Sequence, residues 1–248
     1  MIDVPERSSN GLPLGELVEE TGPVNVIGKR NYAGQFAAVH PVQPESDVDE
    51  LFQSSHGSNI KEHIWTYMPY GPFPGRNNML DWLRTCQAST GMTFFTVVSK
   101  ELDRRVGMLS ILNAVLQMRT VELGNIWYAP RVHHTKINTE VVYLMLTELF
   151  DRLNYRRAEW KCDALNARSR AAALRLGFSL EGIFRQHYII KNRNRDTAWF
   201  AMIDRDWPAI RSNMENWLYS GDGHISLSAL NKNLLNPTCE EKPRHRTD

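Results

Sequence analysis

Cysteine is scarce in this 248-residue chain: Cys86, Cys162 and Cys239 lie far apart and form no CxxC pair. That argues against a disulfide framework and a thiolate zinc centre, and the expected compartment is the reducing cytoplasm. An excess of charge is missing too. The 29 Lys and Arg nearly cancel 28 Asp and Glu, so no whole-chain field draws nucleic acid or an anionic membrane. Nowhere do about eighteen apolar residues run together, and the N-terminus, with Asp3, Glu6 and Arg7, lacks an apolar secretion segment. The expectation is an unsecreted protein with no membrane or nucleic-acid partner. GxxxxGK[ST] is also absent, which speaks against a phosphate-loop nucleotide hydrolase.

What is present is ample material for a core, since 42% of the residues are hydrophobic. Residues 1–22 are polar with scattered Gly and Pro, and a mobile extension is expected there. The folded domain is expected over 23–219. A polar tail, 220–248, follows, its Leu-bearing start reading as a short helix and Glu240 to Arg246 as a solvated charge cluster.

Within the domain, Phe36 to Val42 reads as a strand, followed by a helix with Ser46 as its cap and Val48, Leu51 and Phe52 on its apolar face. A second helix is expected over 77–88 behind Asn77. Met92 to Ser99 and Val106 to Leu112 form a hairpin, and Thr120 to Tyr128 is the next strand, stopped by Pro130. Val142, Met145, Leu146, Leu149, Phe150 and Leu153 mark one face of a helix from near Thr139. Arg157 to Cys162 is a strand, and Asn166 to Leu176 a helix closed by Gly177. Ile183 to Ile190 and Thr197 to Ile203 make a last hairpin. The pattern is a mixed α+β sheet.

The most informative stretch is Trp127 to Leu144, where a strand ends, a short polar loop turns and an amphipathic helix begins. A helix start offers unpaired N–H groups and a partial positive charge, which together suit a pyrophosphate. Arg131 and Lys136 add local positive charge. The bland alternative is that Asn138 or Thr139 simply caps the helix.

Around this stretch the chain resembles the GNAT superfamily, and closely its ribosomal-protein (alanine/serine) N-acetyltransferase branch. The resemblance rests on Trp127, Tyr128, Pro130, Thr135, Asn138, Thr139 and Glu140, on EWKCDALNARSRAAALRLGF with its Asn166, Ser169, Gly177 and Phe178, and on the closing Asp196-Thr197 and Trp199-Phe200. His133 to Asn138 occupies the superfamily's Arg/Gln-x-x-Gly-x-Gly/Ala slot, with Lys136 and Asn138 in place of the two glycines.

The resemblance implies a mainly antiparallel α/β/α sandwich and an acetyl-CoA-dependent N-acetyltransferase without a metal. It places coenzyme A on His133, His134, Thr135, Lys136, Ile137, Asn138 and Thr139, with pantetheine beside Ile126, Trp127 and Tyr128 and near Asn166 and Ser169. It implies Glu122, eleven residues before His133, as general base, directly or through water, with Asp163 and Glu140 as weaker competitors; and because the Tyr that many family members carry is Ala173 here, the departing sulfur is met by Ser169, by a water or by nothing. Trp65, Tyr67, Tyr70 and Phe73, interrupted by Pro69, Gly71 and Pro72, correspond to the loop that lines the acceptor slot outside a regular core. The acceptor is a small-molecule amine or a protein N-terminus; monomer and homodimer stay open. Adjacent His133 and His134 diverge and share no acidic or Cys ligand, so they read as loop residues and not as a metal pair. Cys162 and Trp127, Trp160 and Trp199 read as packing. A non-catalytic acyl-CoA-binding module that kept the fold is the alternative.

Overall fold

The computed structural model describes residues 6–18, 23–220 and 225–235. Its strands are β1 (Tyr32–Ala33), β2 (Ala37–Pro41), β3 (Met92–Ser99), β4 (Arg104–Val115), β5 (Thr120–Tyr128), β6 (Arg157–Asp163), β7 (Ser179–Ile190) and β8 (Arg193–Ile203). The helices are α1 (Pro44–Ser55), α2 (Asn59–Glu62), α3 (Arg76–Ala88), α4 (Ile137–Thr147), α5 (Ala167–Arg175), α6 (Trp207–Tyr219) and α7 (Leu227–Leu235). All eight strands join one sheet in the order β1-β2-β3-β4-β5-β6-β8-β7. Every pairing is antiparallel except β5–β6, joined by the crossover through α4. The mixed α+β sandwich is thus as expected.

Strand alternation divides the core in two. Val97, Leu109, Val121, Leu123, Trp160 and Phe200 face one way, under Val141 and Met145 of α4, Ala173 of α5 and Ile210 and Met214 of α6. Phe94, Met108 and Trp127 face the other way, under Leu51 of α1 and Leu83 of α3.

Helix starts differ from their expected caps. α1 begins at Pro44 behind Gln43, and Asp47 reaches back to accept from the Gln43 amide at 2.8 Å, so Ser46 lies inside the helix. α3 is capped by Gly75 and not by Asn77. At α5 the reading holds: Asn166 accepts from the Ser169 amide at 3.1 Å. Gly177, at φ +94°, ends α5 with paired bonds from its own amide to Leu174 and from Phe178 to Ala173.

Past residue 219 the chain still packs on the domain. Leu227 of α7 is buried in the larger core, and Asn231 donates to the Arg175 carbonyl at 3.0 Å. Of the expected N-terminal extension, 6–18 are described: an Arg7–Pro13 bridge closes a turn and Glu16 pairs with Arg205. Cys239 and the charge cluster from Glu240 lie outside the described residues. No helix among the described residues is long and apolar enough to cross a membrane.

Candidate active site

β5 and β6 run in register only from Thr120–Arg157 to Leu123–Trp160. Beyond that point they separate, while β5 stays paired with β4 through Trp127–Met108 and Tyr128–Gly107. The β5 edge facing β6, from Gly124 to Tyr128, therefore has no ladder partner among the described residues. The splay is accompanied by a register shift between Met108 and Ser110, with Asn125 at φ +53°. Trp127 sends its indole into the smaller core, whereas Ile126 and Tyr128 pack partly buried against the larger one.

At the top of the splay the chain turns through Pro130–Val132, His133 and His134 into α4. The left-handed residue is His134, at φ +62°, whereas Lys136 is right-handed at φ −71°. A lysine in the glycine slot thus costs no backbone strain. α4 has no side-chain cap. Thr139 Oγ1 instead accepts from Arg175 at 2.8 Å, and the buried Asn138 Oδ1 has no partner, so neither residue caps the helix. Among the described residues, the amides of His134, Thr135, Lys136, Asn138 and Thr139 reach no protein acceptor; that of Ile137 reaches Thr135 Oγ1 at 3.4 Å. Five free donors at a helix start form an anion cradle.

The two basic side chains expected to add charge there each bond a neutral protein group. Lys136 Nζ donates to the Leu218 carbonyl at 2.5 Å, and Arg131 donates to Ser54 Oγ at 3.0 Å. His133 Nε2 meets the Tyr128 carbonyl at 3.0 Å, and burial lowers the His133 pKa. Among the described residues no cluster of His, Cys, Asp and Glu is suited to a metal.

On the β6 side, Ser169 Oγ accepts from the Trp160 indole at 3.0 Å, and its hydroxyl proton is left for a second partner, with the Cys162 sulfur in reach. Cys162 is buried beside it, and burial raises its thiol pKa, partly offset by Ser169. Ala173 is fully buried in the larger core, so that position contributes packing alone.

Glu122, 6% exposed, lies on the opposite face of β5. Its Oε2 accepts from Asn113 Nδ2 at 2.7 Å and from Lys161 Nζ at 2.8 Å. Lys161 also pairs with Glu159 at 2.8 Å and lies 3.8 Å over the Trp199 ring. Burial opposes the ammonium, but its bonds to Glu122 and Glu159 outweigh burial and raise its pKa. Asn113 and Lys161 were invisible in the sequence, since only strand register makes them neighbours of Glu122.

The aromatic loop departs from expectation at Trp65. This residue is 0% exposed and centres the smaller core, with rings of Trp127 at 5.2 Å, His56 at 5.4 Å and Phe73 at 5.5 Å. Trp65 is a core residue; a tight apolar collar excludes it from any slot. Tyr70, partly buried, donates to Asn125 Oδ1 at 3.1 Å, and Asn125 Nδ2 donates to Ser110 Oγ at 2.7 Å. Burial pushes the Tyr70 phenol up. Phe73 packs on Trp82 at 5.1 Å and donates its amide to His56 Nε2 at 2.9 Å. Tyr67 reaches the Leu165 carbonyl at 3.3 Å, and Lys191, at the tip of the β7–β8 hairpin, donates to the Trp65 carbonyl at 2.8 Å. The loop therefore bridges the ends of β6 and β8 across the splay.

The site thus combines a splayed parallel pair, a helix start whose amides lack protein acceptors, and the Glu122 carboxylate on the opposite face of β5. The sequence matches the acetyltransferase (GNAT) domain over residues 38–179. The chain belongs to the GNAT acetyltransferases. It is similar to a GCN5-related N-acetyltransferase from Brucella melitensis, at 31% identity and a TM-score of 0.80, covering 85% of this chain and 97% of that one. It is 28% identical over 101 residues to YdaF of Bacillus subtilis (strain 168), provisionally named a ribosomal N-acetyltransferase; the match takes in 41% of this chain and 55% of that protein. The chain thus spans about half the length of that curated relative. The fold, at 18% identity, is also that of the microcin C7 self-immunity acetyltransferase MccE, solved with acetyl-CoA and AMP, with a TM-score of 0.61 and coverage of 68% and 93%.

Proposed function

We propose that the protein transfers an acetyl group from acetyl-CoA to a primary amine, borne by a small molecule or a protein N-terminus, by direct attack in a ternary complex. The observation that carries this reading is the splay of β5 from β6 beneath the five free amides from His134 to Thr139. The diphosphate takes those amides, and the pantetheine amides pair with the open β5 edge at Ile126 to Tyr128. Acceptor and thioester then meet between Glu122 and Ser169.

A neutral amine nitrogen forms the new C–N bond as the C–S bond breaks. The proton it sheds passes to Glu122, directly or through water, and the sulfur leaves as a thiolate that accepts a hydrogen bond from Ser169. Lys161 and Asn113 hold the Glu122 carboxylate in place. Tyr67, Tyr70 and Phe73 border the acceptor.

One pairing favours the alternative of a non-catalytic acyl-CoA-binding module: Glu122 is already engaged by the Lys161 ammonium. Incubating the protein with acetyl-CoA and a panel of primary amines, and following free thiol and amide product together, separates the two. Equal amounts of thiol and amide are expected. Tight acetyl-CoA binding with no amide from any acceptor would favour the module.

A further inference from the structure

Lys136 stands where a basic residue would be assigned to phosphate, yet its ammonium points inward. It donates to the Leu218 carbonyl in the last turn of α6, and lies 4.8 Å from the Phe36 ring centre and 5.8 Å from that of Trp217. A cation at a helix C-terminus satisfies an otherwise open carbonyl and meets the negative end of the helix dipole.

The next residue of α6 makes a second tie. Tyr219 donates to Glu140 Oε1 at 3.0 Å. Glu140 is fully buried and also accepts from the amides of Gln35, Phe36 and Ala37 at 2.6, 2.7 and 2.7 Å. The Tyr219 and Phe36 rings stack with an interplanar angle of 5°. A third tie comes through Arg175, which bonds Thr139 and whose guanidinium lies 6.0 Å from the Trp217 ring centre. Lys136, Thr139 and Glu140, three positions of one turn, are thus held from behind by α5, α6 and the β1–β2 turn. Among the described residues the amides of Lys136 and Thr139 reach no protein acceptor, whereas that of Glu140 bonds the Lys136 carbonyl at 2.9 Å.

We propose that the last turn of α6, Trp217 to Tyr219, is a positioning element for the coenzyme A diphosphate, with Lys136 serving as its anchor and not as a phosphate ligand. This rests on the cofactor reading above. Free amides bind an anion well only if they already converge before it arrives, because ordering them on binding would subtract from affinity. The ties from α6 supply that order without touching the ligand, so they act on the diphosphate and leave the pantetheine arm alone.

The test compares coenzyme A with S-acetyl-pantetheine, which lacks the diphosphate, by calorimetry. Tyr219→Phe keeps the ring and deletes the hydrogen bond to a buried carboxylate; coenzyme A affinity should fall about tenfold while S-acetyl-pantetheine affinity holds. Unchanged coenzyme A affinity, or an equal loss for both ligands, would overturn the role. Lys136→Met is the second variant. It should weaken coenzyme A binding with no change in its dependence on salt concentration; a flattened salt dependence would mean that Lys136 meets phosphate and the anchor assignment is wrong. If the parent protein bound no coenzyme A at all, the cofactor reading itself would fall, an outcome distinct from unchanged affinity in Tyr219→Phe.

Discussion

Gly71 lies at φ +61° against the Trp65 indole, where an added Cβ would come within 2.7 Å of the ring. Only glycine meets both demands without cost. Gly71→Ala is expected to destabilise the protein by about 1–3 kcal/mol, the scale of overpacking a filled core, measurable by denaturant titration. His56 supports the same loop from the other side. Its Nε2 accepts the Phe73 amide, so the neutral ring carries its proton on Nδ1, toward Ser55 Oγ at 2.9 Å. Burial lowers the His56 pKa, so the unfolded chain takes up a second ring proton more readily than the folded one. The stability His56 contributes is full above about pH 6.5, the ordinary histidine value, and is lost as pH falls through the lowered value. Between about pH 7.5 and about pH 5.5 the parent should lose more melting temperature than His56→Gln; equal losses would remove His56 as the cause. Glu122 is the third residue at this scale. Glu122→Gln should lower turnover by about a hundredfold with coenzyme A affinity retained, and turnover within twofold of the parent would pass the proton to solvent or to Asp163.

Among the elements, β5 is where the proposed donor and acceptor sites adjoin. Tyr70, from the aromatic loop, bonds Asn125 at the β4–β5 register shift, just past the end of the β5–β6 ladder. Tyr70→Phe keeps the ring and removes one hydrogen bond, so the acceptor Michaelis constant and the coenzyme A dissociation constant should both rise, each by about 0.5–1.5 kcal/mol. A change confined to the acceptor would show that the contact does not transmit.

The same scale shows what a sequence can reveal. β3 and β5 have the boundaries their β-branched and aromatic runs predict, and Asn166 and Gly177 act at the ends of α5 as their residue types require. Ser46, Asn77 and Thr139 are equally good caps by type, yet α1, α3 and α4 start earlier, because Pro44, Gly75 and Lys136 sit where the preceding loop sets the direction of the chain. α6 has no counterpart in the sequence reading. Its Pro208 looks like a breaker, but it falls in the first helical turn, where a missing N–H costs nothing. The contacts that define the site chemistry join residues 39, 55 and 82 positions apart, Lys161 to Glu122, Tyr70 to Asn125 and Lys136 to Leu218. Such pairings depend on register and packing, which periodicity does not encode.

For the molecule as a whole, one sheet serves two purposes. Its larger core, under α4, α5 and α6, fixes the phosphate turn from behind, and its smaller core, around Trp65, holds the aromatic loop across the splay. In the proposed reading the cofactor and the acceptor approach from opposite faces and meet where β5 leaves β6, and the anion is met by backbone amides. The central claim is therefore about where coenzyme A lies. Backbone amide NMR during a coenzyme A titration tests it most directly: the largest shifts should fall on His134, Thr135, Lys136, Asn138 and Thr139, followed by Ile126 to Tyr128 on the open β5 edge. Saturable binding that left those amides unmoved and shifted another surface would contradict it.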